Sequence, residues 1–263
     1  MKKIFAMLAV AACLFAVSCG KDDNKGGSTK TDDNTQTGDL PAALQHSAFI
    51  PIILDGVTFE SIKSKVTVDL RVNDATNWLW IWDGTYTGGE GAGLNFFGNT
   101  EGYVSLKVSG TASWSGAGFC VYNSFLPEGA AEALVAEKNP ITAIKNSIGA
   151  APEEWVLHVA YKGAARVAHI LGVDYAAGGK YSFAIGEGSL VDNDVTYNAI
   201  APKSGEFEAG EWMEYEIPVA DLGIDFTAEL ETPQGKGYNM LFCLSGGTTG
   251  NEINLDAAYF YKK

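Results

Sequence analysis

Basic residues are scarce in this chain, with 18 lysines and arginines against 32 aspartates and glutamates. Lys2 and Lys3 belong to the extreme N-terminus, and without them the balance is 16 to 32. Such a surface repels phosphate backbones and anionic polymers, which argues against nucleic acid and favours neutral or cationic ligands. Catalytic signatures are also missing: there is no Gly-x-Ser-x-Gly, no His-Glu-x-x-His, no phosphate loop and no Glu-x-Asp-x-x-Glu. Glu214 and Glu216 are carboxylates of the right kind for glycoside chemistry, but they alternate onto a face that reads as solvated, which offers no environment for general-acid work. Long apolar runs are absent apart from Ile4 to Val17, too short for a comfortable membrane span of about 20 residues. Between Gly20 and Asp39 there is no apolar residue at all.

The N-terminal run has its own meaning. Two lysines, a short apolar stretch and then Ser18, Cys19 and Gly20 follow the grammar of a secretory signal. The segment ending at Cys19 resembles a bacterial lipobox, although Ala16 stands where that motif prefers leucine, and Lys21-Asp22-Asp23 resembles the export tag of Bacteroidota surface lipoproteins. The resemblance implies cleavage before Cys19, acylation of that cysteine, and a place on the outer membrane facing the cell exterior. Acyl chains contribute roughly 0.8 kcal/mol per buried CH2, so two or three make a durable anchor. The expected organisation is a signal peptide over 1–18, a lipidated cysteine and flexible tether over 19–43, and one globular domain over 44–263.

Within that domain the hydrophobic period is two almost throughout. Strict alternation marks Lys65 to Val72, Tyr103 to Val108 and Trp212 to Val219, the last with Met213, Tyr215, Ile217 and Val219 inward. Further strands are predicted at Asn77 to Trp82, Gly118 to Tyr122, Trp155 to Tyr161, Arg166 to Leu171, Lys180 to Ile185, Tyr238 to Leu244 and Asn251 to Tyr261. Asp83-Gly84, Gly88-Gly89 and Gly246-Gly247 read as turns. Only Glu128 to Ile148 reads as helix. The fold class is therefore all-β: a two-sheet antiparallel β-sandwich of jelly-roll type with one or two short helices inserted. Cys120 and Cys243 lie in apolar strand text and are expected to be buried free thiols.

The candidate site residues are mainly aromatic. Trp78, Trp80 and Trp82 share one face of a strand whose other face carries Leu79 and Ile81, so the indoles belong either to the core or to a platform. Indole offers a broad apolar face and one N–H at little entropic cost, which suits the C–H faces of sugars. Trp114 sits among small residues in loop-like text, where loop aromatics often meet ligand. Asn95 and His158 are candidate polar partners. A two-residue turn at Gly163-Ala164 would set His158 opposite His169 across a hairpin, two histidines being too few for zinc. Asp83, Glu90 and Asp256 supply hard oxygens from acidic turns for a structural calcium.

Gly210-Glu-Trp-Met-Glu-Tyr-Glu-Ile-Pro218, Tyr238-Asn-Met-Leu-Phe-Cys-Leu-Ser-Gly246 and Asn254-Leu-Asp-Ala-Ala-Tyr-Phe-Tyr261 are together similar to the end of galactose-binding-like, carbohydrate-binding jelly rolls. Leu79-Trp-Ile-Trp-Asp-Gly-Thr-Tyr86 and Trp114-Ser-Gly-Ala-Gly-Phe119 resemble segments of small Bacteroidota lipoproteins encoded beside outer-membrane glycan importers. The resemblance implies a non-catalytic surface lipoprotein that captures neutral oligo- or polysaccharide for such an importer. The alternatives are a structural or adhesive lipoprotein of fimbrial type, which the lack of any arginine before Arg71 disfavours, and a glycoside hydrolase or lyase.

Overall fold

The computed structural model describes residues 40–71, 78–81, 86–100, 102–109, 116–120, 140–174, 180–192, 194–226, 239–244 and 249–263. The signal, Cys19 and most of the tether lie outside the described residues, as do Trp82, Asp83, Trp114 and the glycine pair at 246 and 247.

Two antiparallel sheets face each other. The first holds six strands: β1 (Ala48–Ile53), β3 (Tyr86–Glu90), β4 (Val104–Val108), β6 (Trp155–Gly163), β11 (Met213–Pro218) and β13 (Glu252–Lys262). Its order is β11-β6-β13-β4-β3, with β1 also on β13. The second runs β2-β5-β12-β7-β8, from β2 (Trp78–Ile81), β5 (Gly116–Cys120), β12 (Asn239–Leu244), β7 (His169–Asp174) and β8 (Lys180–Ile185). A separate hairpin pairs β9 (Ser189–Asp192) with β10 (Val195–Asn198). Two short α-helices, α1 (Gly56–Ile62) and α2 (Pro140–Ile148), and four single-turn 3-10 helices complete the described elements. The architecture is the expected two-sheet jelly-roll sandwich.

The main core lies between the sheets. Leu157, Val159 and Tyr161 of β6 meet Tyr215 and Ile217 of β11, Phe260 of β13, and Leu171, Phe183 and Ile185 of the opposite sheet. A second apolar cluster covers the outer face of the six-stranded sheet, where Phe49, Val156, Ala160, Tyr259 and Tyr261 pack under Leu44, Phe59 and Ile62. Strands β6 and β13 are thus buried on both faces, which is why their text is apolar at nearly every position. Helix α1 was not foreseen from the sequence. Asp55 caps it, its Oδ1 accepting from the Thr58 amide at 2.8 Å, and Thr58, Phe59 and Ile62 form its buried face.

Strand β13 changes partner halfway along. Glu252 to Leu255 pair with β4, whereas Ala258 to Lys262 pair with β1, and β6 runs along the other edge throughout. A bulge at Asp256-Ala257 marks the switch, with Ala257 at φ 45.

Four expectations are corrected. Of the strand expected over Lys65 to Val72, the described residues 65–71 alternate in exposure but form no strand, and Val72 lies outside the described residues. After one parallel bridge, Val66 to Phe49, the segment slips against β1, with Thr67 N–H bonded to Phe49 O and Leu70 N–H to Pro51 O; Pro51 has no N–H to continue a ladder. Gly88-Gly89 lies inside β3, paired with β4, rather than in a turn, and Gly88 is glycine there because a Cβ would collide with Ser105 O. The predicted hairpin of His158 with His169 does not exist: β11 and β13 occupy both edges of β6, so the chain after Gly163 crosses to the other sheet. The helix expected from Glu128 to Ile148 is seen as Pro140–Ile148, and residues 121–139 lie outside the described residues.

Candidate functional site

Strand β2 is described only at the edge of the five-stranded sheet, and its register decides where its tryptophans belong. Ile81, Ala117, Cys243, Leu171 and Phe183 form one row across the five strands, and Leu171 and Phe183 are in the core. The next row, Trp80, Gly118, Phe242, Gly172 and Ser182, therefore belongs to the face turned away from the core, and so does Trp78, two residues earlier. Trp80 and Phe242 stand two strands apart, roughly 10 Å, with a glycine between them. Cys120 shares the row of Trp78 and Asn239, and Cys243 shares that of Ile81 and Ala117.

Asn95 and His158 lie elsewhere, enclosed on the outer side of the six-stranded sheet. His158 is fully buried on β6: its Nδ1 stands 2.6 Å from Ala257 O, its Nε2 3.2 Å from Glu214 Oε1, and its ring stacks at 4.5 Å on Tyr259. The carbonyl at one nitrogen and the carboxylate at the other fix the orientation of the ring. Asn95 is 2% exposed and donates to Asp55 Oδ2 at 2.9 Å, while its Oδ1 accepts from the Asn99 amide. Asn99 also donates to Asp55 Oδ1 at 3.0 Å, and Asp256 Oδ2 accepts from the Phe96 amide at 2.8 Å. These groups spend their hydrogen bonds holding the 91–100 loop and α1 over the β13 bulge. They position a cap.

The acidic groups here are set apart by their surroundings. His158, followed by Lys203, holds the Glu214 carboxyl down to about 2. Lys203 Nζ bridges Glu214 at 3.0 Å and Glu216 at 2.7 Å. A carboxylate so stabilised in its charged form cannot serve as a general acid. Asp256 is the reverse case. Burial pushes its carboxyl up to about 6, and its Oδ1 is without a hydrogen-bond partner among the described residues. His169, on the inner face of β7, is pulled down to about 4 by burial.

The last two shifts oppose each other in stability. Asp256 titrates higher in the fold than its ordinary 3.8, so its contribution is greatest below that value and is lost as pH rises through about 6. His169 titrates below its ordinary 6.5, so its contribution is present above 6.5 and is lost as pH falls toward 4. Each is worth on the order of 3 kcal/mol across its window, and the two nearly cancel between them. Asp256→Asn leaves His169 unopposed: urea melts of this variant should lose stability steadily from pH 6.5 to 4, whereas the parent stays flat over that range.

Of the calcium candidates, Glu90 is exposed at the end of β3, Asp256 is fully buried on β13, and Asp83 is outside the described residues. Among the described residues no group of three or more histidine, cysteine, aspartate or glutamate side chains is placed to hold a metal.

Sequence reasoning left one aromatic grouping unassembled. Trp212 meets Tyr103 edge-on at 5.0 Å and donates from Nε1 to Leu94 O, and Lys162 Nζ stands 4.8 Å from the Trp212 ring and 4.9 Å from that of Tyr103. The outward parity of Trp212 with Glu214 and Glu216 was visible, but the three strands that complete the grouping were not.

No protein-family model matches the chain, and no curated protein does. Solved structures do align with it. A family 30 carbohydrate-binding module of a cellulosomal cellulase from Clostridium thermocellum aligns over 72% of this chain and 92% of its own, at 10% identity and a TM-score of 0.41. A family 11 module of another cellulosomal cellulase from that organism covers 73% and 90%, at 9% identity and a TM-score of 0.36. An exo-β-agarase aligns over 70% of this chain and 24% of its own, at 8% identity and a TM-score of 0.35.

Proposed function

We propose that this chain is a non-catalytic, lipid-anchored glycan-binding protein of the bacterial cell surface. The observation that supports the reading is the register of the five-stranded sheet, in which the rows of Trp78 and Trp80 alternate with the row of Leu171 and Phe183 that lies in the core. Indoles at these two positions of the strand would suit the stacking of neutral sugar rings. Trp114 joins them as a candidate from the sequence. The acidic balance favours an uncharged polymer, and Cys19 would tether many copies to one surface, so modest affinity at each copy suffices once several engage a single strand. Delivery of the bound glycan to an outer-membrane importer completes the role. The Lys203-bridged pair Glu214 and Glu216 supports a binding rather than a hydrolytic reading.

Native affinity electrophoresis against a panel of neutral polysaccharides, with tryptophan fluorescence in parallel, tests the proposal. Retardation and a fluorescence change with at least one glycan are expected. Mobility and emission unchanged across the whole panel would overturn it, and release of reducing ends would replace it with a hydrolase.

A further inference from the structure

On the opposite side of the sandwich, a groove of about 400 Å³ runs over the outward face of β3, β4 and β13. It is lined by Thr87, Gly88, Gly89, Ser105, Lys107 and Glu252, with Glu90 at its end. That volume falls in the lower part of the range for small-molecule sites, roughly 300–1,000 Å³. Register explains the composition: Thr87, Lys107 and Glu252 form one row across the three strands, and Gly89, Ser105 and Asn254 form the next.

Three observations make this more than a solvated surface. The lining alternates hydroxyl, ammonium and carboxylate, so donors and acceptors lie side by side along it. Glu252 is held in place, because Asn254 Nδ2 donates to its Oε1 at 2.9 Å as well as to Lys162 O at 3.0 Å. Asn254 is itself 2% exposed, and its Oδ1 has no hydrogen-bond partner among the described residues. Finally, Gly89 has no packing reason to be glycine. A Cβ there would meet nothing within 4 Å, and its φ is not in the left-handed region, in contrast to Gly88, where a Cβ would collide with β4. The open space over Gly89 is the groove.

We propose that this groove is a second ligand site, taking the hydroxyl edge of a neutral sugar by hydrogen bonding rather than by stacking. Thr87 and Ser105 exchange hydrogen bonds with ring hydroxyls, Lys107 donates, and Glu252 accepts from a vicinal diol. Its net negative lining disfavours anions. The inference rests on the glycan-binding reading but uses neither Trp78 nor Trp80, so one polymer strand can engage both faces of a molecule or bridge two molecules.

The test is a titration of the full chain with short neutral oligosaccharides of glucose, xylose, mannose and galactose, followed by amide NMR shifts. Shifts at Thr87, Gly89, Ser105 and Lys107 are expected with the same sugar that perturbs the tryptophans. Gly89→Leu, whose Cβ meets no neighbour within 4 Å and whose side chain would enter the groove, should abolish those shifts and weaken groove binding at least tenfold while the indole shifts and the melting temperature persist. Ser105→Ala, a smaller change, should weaken it in the same direction. Indole shifts without any response at 87–89 and 105–107 would overturn the second site and leave the first. No shift anywhere would overturn both.

Discussion

Replacing Trp78 and Trp80 together by alanine removes glycan retention on affinity gels and leaves the melting temperature close to that of the parent. The register requires both halves of that result. Residues on the outward face of β2 contribute little to the core defined by Leu171, Phe183 and Ile185, so their truncation leaves no cavity there. As aromatic anchors in a binding surface they are worth upwards of about 2 kcal/mol each, so the pair together carries a loss of a hundredfold or more. Leu79→Ala supplies the control. Leu79 lies in the inward row with Phe119, and its truncation costs about 2–5 kcal/mol of stability with binding affinity retained. If the tryptophan pair instead lowered the melting temperature as a core Trp→Ala change does, by about 3–5 kcal/mol each, the indoles would be core and the platform would fall. Circular-dichroism melts beside the affinity gels separate the two cases.

Asp55→Ala destabilises the protein by about 2–4 kcal/mol and frees the 91–100 loop. This side chain is 6% exposed and accepts from three donors: the Thr58 amide, Asn95 Nδ2 and Asn99 Nδ2. Its removal takes the cap from α1, worth about 1 kcal/mol, and leaves Asn95 Nδ2 unpaired in the interior at about 1–3 kcal/mol, while Asn99 Nδ2 keeps its bond to Thr58 Oγ1. Asp55→Asn keeps the shape but presents a donor where three donors already converge, so it recovers only part of the loss. Chemical denaturation gives the free energy. Hydrogen exchange gives the location, since the Phe96 and Asn99 amides, protected by Asp256 and Asn95, should exchange faster in the variant. Equal protection in parent and variant would mean that the loop is held by Phe96 and Phe97 against the sheet and not by this network.

Much of the sandwich was legible in the amino-acid order because one-sided burial writes itself as alternation. Met213, Tyr215 and Ile217 turn inward as their spacing demands, and Lys180 to Ile185 forms a strand at the predicted bounds. Trp155 enters the core, as its parity with Leu157 and Val159 required. Alternation fails as a guide where a second layer covers the sheet. Residues 65–71 alternate because they lie along β1 with one wet side, yet their ladder stops where Pro51 offers no donor. Gly88 and Gly89 read as a turn because glycine pairs often are, and nothing local reveals that Ser105 will press against one of them. The Asp55 cap did leave a local signal, an aspartate before the apolar spacing of Val57, Phe59 and Ile62, though a helix of seven residues is easily passed over.

By itself the sequence determined the class of the fold, the acidic exterior, the lack of known catalytic signatures and the pairing of Trp78 with Trp80 on one face, since all four follow from residue identity and a period of two. Which face that was, and which histidine met which partner, only the tertiary structure decided. Parity fixes that residues agree but not whether they agree on core or solvent; that choice is made by what packs on each side. His158 was thereby taken from a supposed hairpin and enclosed between Tyr259, Ala257 and Glu214, because both edges of its strand were already claimed.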